Sequence, residues 1–512
     1  MTEARSQGII SRSRLAAGGM LLAAGAGLGC MGPMPSEHLS RKVTLPVPRS
    51  AAQPPPPDRL SREDRGEKYV LSPLAVISLA FDLRPDIKSS FQTFKSEEAR
   101  YDFFYVSRDS FTPRLSIANT FDESRENNLT TRERDHKATL SAKKDFFDTT
   151  SMEIGLGFDA EATDSAIGEQ PFGFAKLRYP LWGSRKKLER TSEDIFRQNE
   201  LNDAQLSYIQ QTRSRLRQAL FKFNEVVYLE KQLVNSRRWK GDLEELAERI
   251  TASNDRALHA DRERLTAEIT KVGASIRNQT GWYDIQLARL RSFCGLPFHA
   301  ELEVVDEPFN PFEGATHEEL LAVSLETDPE IATLSNSVRN AEVQLDLARR
   351  GKWDVALIVG GESDFEGMGE DEGVSDWGVS AGFDVSAVDP RVTESLTRQA
   401  QASIARFRQA IAARENAIFT DTLEPAVRIE TLGASRDELA ENLPRYQADY
   451  SEGVQEYLAR DLNIDDLIER RADLYTQENE VARLTYLVSL NVAELCAATG
   501  KFFELLNHQA VQ

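Results

Sequence analysis

Trp377-Gly378-Val379-Ser380-Ala381-Gly382-Phe383-Asp384-Val385-Ser386 is apolar at every odd position and small or charged at every even one. Successive strand side chains point to opposite faces, so this stretch has one apolar face and one wet face. Roughly ten such residues are what a tilted strand needs to cross a bilayer, with lipid on one side and water on the other. Met152, Ile154, Leu156 and Phe158 alternate in the same way with Glu153, Gly155, Gly157 and Asp159, and Phe172, Phe174, Tyr179 and Trp182 offer interfacial aromatics. A half-buried strand of a soluble sheet has identical alternation. The decision falls to the rest of the chain.

Outward from the strands, the chain is helical. No proline occurs between Pro180 and Pro297, and Leu206, Ile209, Leu216, Leu220, Phe223, Val227 and Leu233 recur at steps of three and four with charges between. That coiled-coil-like stripe predicts a helix from about Lys186 to Ile250, close to ~100 Å at about 1.5 Å per residue. Polar, cap-forming residues around Thr251-Ala252-Ser253-Asn254-Asp255 predict a turn, and a return helix runs to about Phe293. A second hairpin is expected from about Thr393, turning near Ser451-Glu452-Gly453-Val454 and returning to about Ala498. Pro425 and Pro444 are expected to kink its outgoing arm.

The two hairpins belong to two copies of one unit. Pro85-Asp86-Ile87 and Pro329-Glu330-Ile331 open equivalent helical segments. These end at Ser107-Arg108 and Arg349-Arg350, and strands follow at Pro113–Ile117 and Asp354–Ile358. Small-residue stops close the copies at Cys294-Gly295-Leu296-Pro297 and Ala497-Ala498-Thr499-Gly500. The expected organisation is a secretory signal over 1–30, a Pro-rich linker over 31–70, a first repeat over 71–295, a connection over 296–316, a second repeat over 317–500 and a tail over 501–512.

Arg5, Arg12 and Arg14 before the apolar Leu15–Leu28 stretch make a bacterial secretory signal. Cys30 at its end resembles a lipoprotein acceptor, although Leu28 stands two residues before it instead of three; ordinary cleavage or a retained anchor is the other outcome. Beyond residue 30 there is no run of about 20 apolar residues, which excludes a helical transporter. A hydrophobic content of 40% excludes a disordered chain, and three cysteines exclude a disulfide scaffold. A net charge of −20 argues against nucleic acid as a partner.

In the order and spacing of these landmarks, from roughly Leu74 to Gly500, the chain resembles the TolC-type outer-membrane efflux protein family. Tyr179-Pro180-Leu181-Trp182-Gly183, where strand passes to helix, and the Tyr450…Gly453 segment also fit. The resemblance implies an α+β membrane protein, with long α-helical coiled-coil hairpins forming a periplasmic tunnel and a transmembrane β-barrel shared by a homotrimer. It also implies an outer-membrane exit duct for efflux or type I secretion, with a periplasmic adaptor, an inner-membrane pump and outer-membrane lipid as partners. Departures are visible. An additional hairpin at about Lys137–Asp159 puts the family's four strands per protomer in doubt, Val388 and Pro390 stand where a Gly-rich segment is usual, and the first helix turn lacks its glycine. A lipid-anchored periplasmic coiled-coil scaffold without a pore is the alternative.

No catalytic, cofactor or metal site is expected. The six histidines stand in no zinc spacing, His317-Glu318-Glu319 lacks the second His of a metalloprotease motif, and no Gly-rich phosphate loop with its Lys occurs. The acidic loop from Asp364 to Asp376 reads as a solvated connection. Cys294 and Cys496, near equivalent helix ends, read as buried thiols rather than a disulfide.

One acidic constellation stands out. On a helix, Asp465 and Glu469 share a face, with Asp466 three residues before Glu469. Repeated three times, they would form a carboxylate ring that selects cations. The resemblance implies that Asp466 and Glu469 belong to a periplasmic gate, which Asp465 on the shared face would join, that Tyr450 helps to latch it, and that Arg460 is the latching arginine. It also implies that the turns at Ala252, Ser253, Gly453 and Val454 meet the adaptor. A helix N-terminus attracts acids through its macrodipole in any case, so an ordinary solvated turn accounts for the same residues.

Overall fold

A first-turn proline, a capping side chain or both start six of the nine helices among the described residues. In the computed structural model, which describes residues 68–109, 111–126, 129–146, 150–163, 166–183, 185–252, 261–364 and 377–511, helix α1 (Pro73–Leu83) is capped by Ser72 and is followed directly by α2 (Pro85–Asp109). Later in the chain the same pair returns as α5 (His317–Thr327) and α6 (Pro329–Arg350). A Thr316/Glu319 capping box opens α5, and the Asp328 carboxylate opens α6 by accepting the Ile331 amide at 2.9 Å. The signal, Cys30, most of the linker, Ser253 and the acidic loop 365–376 lie outside the described residues.

The long helices match their stripes closely. Helix α3 (Arg185–Ala252) and α7 (Pro390–Ala459) have 68 and 70 residues, each ~100 Å at about 1.5 Å per residue. Their return arms are α4 (Arg262–Cys294) and α8 (Ile464–Thr499). By length and composition α8 could cross a membrane. It is instead a packed element, with Leu484, Val492, Ala493, Leu495 and Cys496 buried against the other helices.

One expectation about the second hairpin needs correction. Helix α7 carries Pro425 and Pro444 inside it. It does not turn at Gly453-Val454: it runs on to Ala459, and Arg460 caps it in the left-handed conformation (φ 72°). Gly453 serves a different purpose. A Cβ there would lie 3.0 Å from Arg470 Cδ of α8, so the glycine lets the two arms approach closely.

The strands form one antiparallel sheet in the order β2 (Thr112–Glu126), β3 (Leu129–Asp145), β4 (Ser151–Thr163), β5 (Ala166–Gly183), β7 (Trp353–Asp364), β8 (Trp377–Ala387). The additional hairpin is therefore real and central: β3 and β4 stand between β2 and β5, giving six strands. Leu156 and Phe383, 66% and 70% exposed, lie on one face with Leu115, Leu140 and Val379. Phe172 and Phe174 are not interfacial aromatics. They lie on the opposite face, with Phe172 only 4% exposed, and fill the space that Gly157 and Gly155 leave on β4. Lys137 and Lys176 sit over their rings at 4.4 and 5.2 Å. The register shifts between Pro180 and Trp182, a bulge at the residue that has no N–H to give the ladder. Arg178 ties the foot of the sheet together, 2.6 Å from Asp354 and 3.3 Å from Asp384.

A second, two-stranded sheet pairs β1 (Lys68–Leu71) in parallel with β6 (Glu301–Val304). The end of the stretch read as linker is thus a strand, and the connection between the halves is its partner. After Gly500 the chain continues as α9 (Lys501–Val511) in place of a tail.

Candidate functional site at the helix turns

Both hairpins end in one shared core. Leu243, Leu246 and Ile250 of α3, Leu265 and Val272 of α4, Tyr457 of α7, and Ile464 and Leu467 of α8 are buried together, with Tyr450, Val454 and Leu458 against them. The two turns that the sequence suggested separately therefore lie at the same end. Tyr457 crosses between them, its hydroxyl donating to Asp261 Oδ2 at 2.9 Å at the start of α4. Burial and this carboxylate both hold the phenol protonated.

The second turn is Arg460-Asp461-Leu462-Asn463. The Asp461 amide donates to Glu456 O at 2.8 Å, closing α7. Asn463 opens α8 by accepting the Asp466 amide at 2.8 Å, while its own Nδ2 donates to Asp466 Oδ2 at 2.6 Å. The Asp466 carboxylate is thus engaged in the helix cap. Asp465 pairs with Arg264 of α4 at 2.9 Å, both side chains exposed, and Glu469 is exposed one turn further on the same face. Of the positions expected to face an adaptor, Ala252 is the last residue of α3. Gly453 and Val454 sit inside α7, packed inward against α8 and the shared core.

The charges that join the hairpins were not among the sequence candidates. Arg471 of α8 is 0% exposed, and its Nε donates to Asp242 Oδ2 of α3 at 2.7 Å. Its Nη1 is 3.7 Å from Glu478, which accepts from Arg238 of α3 at 2.7 Å. Two arginines thus meet two carboxylates between α3 and α8. Tyr450 of α7 lies under the Arg471 guanidinium, 5.6 Å from ring centre to Cζ. Burial first, and Asp242 second, push the Tyr450 hydroxyl up to about 12, with Arg471 opposing. Next to this cluster, Ser236 donates to Gln279 and stands 3.0 Å from the Tyr475 hydroxyl, and Asn235 donates to Asn479. A signal for Arg471 did exist: it takes its place in the α8 stripe Ile464, Leu467, Leu474 that is otherwise apolar.

Farther along the bundle, Arg213, Arg414, Asp328 and Glu494 line a cleft of about 600 Å³ with three further carboxylates and two more arginines. Its charge is nearly balanced, and Arg414 pairs with Asp328 at 3.0 Å. Cys294 and Cys496 are free buried thiols, and burial pushes the Cys294 thiol up to about 12.

A sheet with an exposed apolar face, standing on helical hairpins of ~100 Å, is the architecture of TolC-type outer-membrane channels, and the chain has that fold. It superposes on the outer-membrane channel OprN at 12% identity, with 84% of this chain and 90% of that one covered and a TM-score of 0.62. The VceC outer membrane protein of Vibrio cholerae matches at 12% identity over 84% and 96% of the two chains with a TM-score of 0.61. The open-state MtrE outer membrane channel of Neisseria gonorrhoeae matches at 13% over 84% and 88% with a TM-score of 0.59. No protein-family model and no curated protein matches the sequence.

Proposed function

We propose that the chain is the outer-membrane exit duct of a tripartite efflux or type I secretion system, and that three copies close one β-barrel and one helical tunnel. The observation that carries this reading is the sheet: an apolar, solvent-exposed face on every strand pair, backed by small and charged residues, in a chain whose fold neighbours are outer-membrane channels. A water-soluble scaffold has no use for such a face. The two halves share the order helix pair, strands, hairpin, and we read them as duplicated units over 71–295 and 317–500 behind a Cys30-anchored signal and linker. The duct performs no chemistry, so the driving energy comes from an inner-membrane pump.

In this reading the shared core at the hairpin ends is the periplasmic mouth. The buried Arg471 and Glu478, with Asp242 and Arg238 at the edge of the cluster and Tyr450 beside it, hold α8 against α3 and keep the mouth closed. Asp465 and Glu469 of three chains contribute a cation-attracting ring, with Asp466 mainly a helix-cap partner. Arg460 shapes the turn. The adaptor meets the tips at Ala252-Ser253 and at Arg460–Asn463, seven residues beyond the positions read from sequence. The deciding experiment is an SDS-resistant trimer from outer-membrane fractions that conducts in a planar bilayer. Asp465→Asn with Glu469→Gln should then lower cation preference. A monomer in mild detergent would remove the duct, and unchanged reversal potentials in asymmetric salt would reduce the acids to ordinary helix surface.

A further inference from the structure

One chain cannot close this sheet, because closed membrane barrels start at about eight strands and the sheet has six among the described residues. Its two edges, β2 and β8, are left with unpaired backbone donors and acceptors, which no bilayer tolerates. The five junctions inside the sheet are all antiparallel, so β2 and β8 run in opposite directions. The β8 edge of one copy can therefore join the β2 edge of the next without breaking the alternation.

The inserted hairpin continues the register of the other strands. Pro113, Ala142, Ile154, Ala175, Gly361 and Val379 form one continuous register row across all six strands. Every member is apolar or glycine, and the exposed Leu140 and Leu156 put β3 and β4 on the same lipid-ready face as the rest. Each strand of the hairpin, at 17 and 13 residues, exceeds the roughly 9–11 needed to span.

We infer that the β2 edge of each copy pairs with the β8 edge of a second copy, and that the closed wall contains eighteen strands. This rests on the trimeric reading above. At a strand spacing of about 4.8 Å and a tilt of about 40°, eighteen strands enclose a wall ~36 Å across between backbones, against ~24 Å for twelve. Allowing about 6 Å of side chain on each side, the lumen cross-section is about fourfold larger. Size selection then falls to the helix-turn end, and the barrel admits cargo as bulky as a polypeptide.

The test uses the full chain in detergent, with a cysteine at Ser116 of β2 and a scan of single cysteines along β8. Of the native cysteines, Cys294 and Cys496 are buried, and the full chain without the new cysteines gives the background. Oxidation should yield a covalently closed trimer at one register of the scan, native mass spectrometry should count three chains, and electron cryomicroscopy should count eighteen strands. Two chains would overturn the trimeric reading and the strand number together. Three chains around a twelve-strand wall, with β3 and β4 folded outside it, would overturn the strand number alone. Three chains without any β2–β8 cross-link would overturn the proposed junction.

Discussion

At the scale of the residue, the fold depends most on charges that sit where apolar residues are expected. Arg471 occupies a position in the buried stripe of α8, and its removal takes the partner from the half-buried Asp242 and leaves the buried Glu478 with Arg238 alone. Taking away one partner of a buried ionic cluster costs about 3–5 kcal/mol, far more than an exposed pair. Arg471→Met should therefore lower thermal stability sharply and raise leak conductance, while Arg264→Met, on the exposed Asp465 pair, should change stability by less than about 1 kcal/mol. An Arg471→Met protein as stable as the parent would show the cluster to be energetically idle. Tyr450 gives a pH prediction. Its hydroxyl pKa is raised in the fold, so its contribution is complete below the unfolded value near 10 and is lost as pH rises toward about 12. Urea unfolding of the wild type should steepen its decline over that interval, and Tyr450→Phe should flatten it.

At the scale of the element, close approach decides details that periodicity leaves open. On β4, glycine is needed because Phe172 and Phe174 lie flat across it: a Cβ at Gly157 would come within 2.2 Å of Phe172 Cζ. Gly157→Ala should overpack the site and cost about 1–3 kcal/mol. Phe172→Ala should relieve the clash, so the double mutant should be less destabilised than the two single changes summed. Simple additivity in a double-mutant cycle would mean that the ring is not held against the glycine. Gly453 repeats the principle between α7 and α8. Its spacing looked like a turn, because glycine in a sequence marks a helix end and a close helix contact equally well.

At the scale of the whole molecule, two faces of one sheet should respond oppositely to charge. If the Leu156 face meets lipid, Leu156→Arg near the middle of the band should cost about 2–4 kcal/mol and lower outer-membrane yield. Thr139→Arg, on the opposite face, should be tolerated there and should shift ion preference instead. Equal yields of both variants would return the sheet to water. By itself the sequence determined the long helices, the strand alternation and the Pro85 and Pro329 starts. Each of these is a local pattern, set by residue spacing or by the chemistry of a cap. Only the tertiary structure decided the six-strand order, the inward aromatics, the turn at Arg460 and the union of Asp242, Glu478 and Arg471. Those residues are brought together from distant segments, and helix and strand periods carry no record of which face will meet which. Burial then fixes the role of each, because a charge or a glycine acquires its meaning from the side chain packed against it.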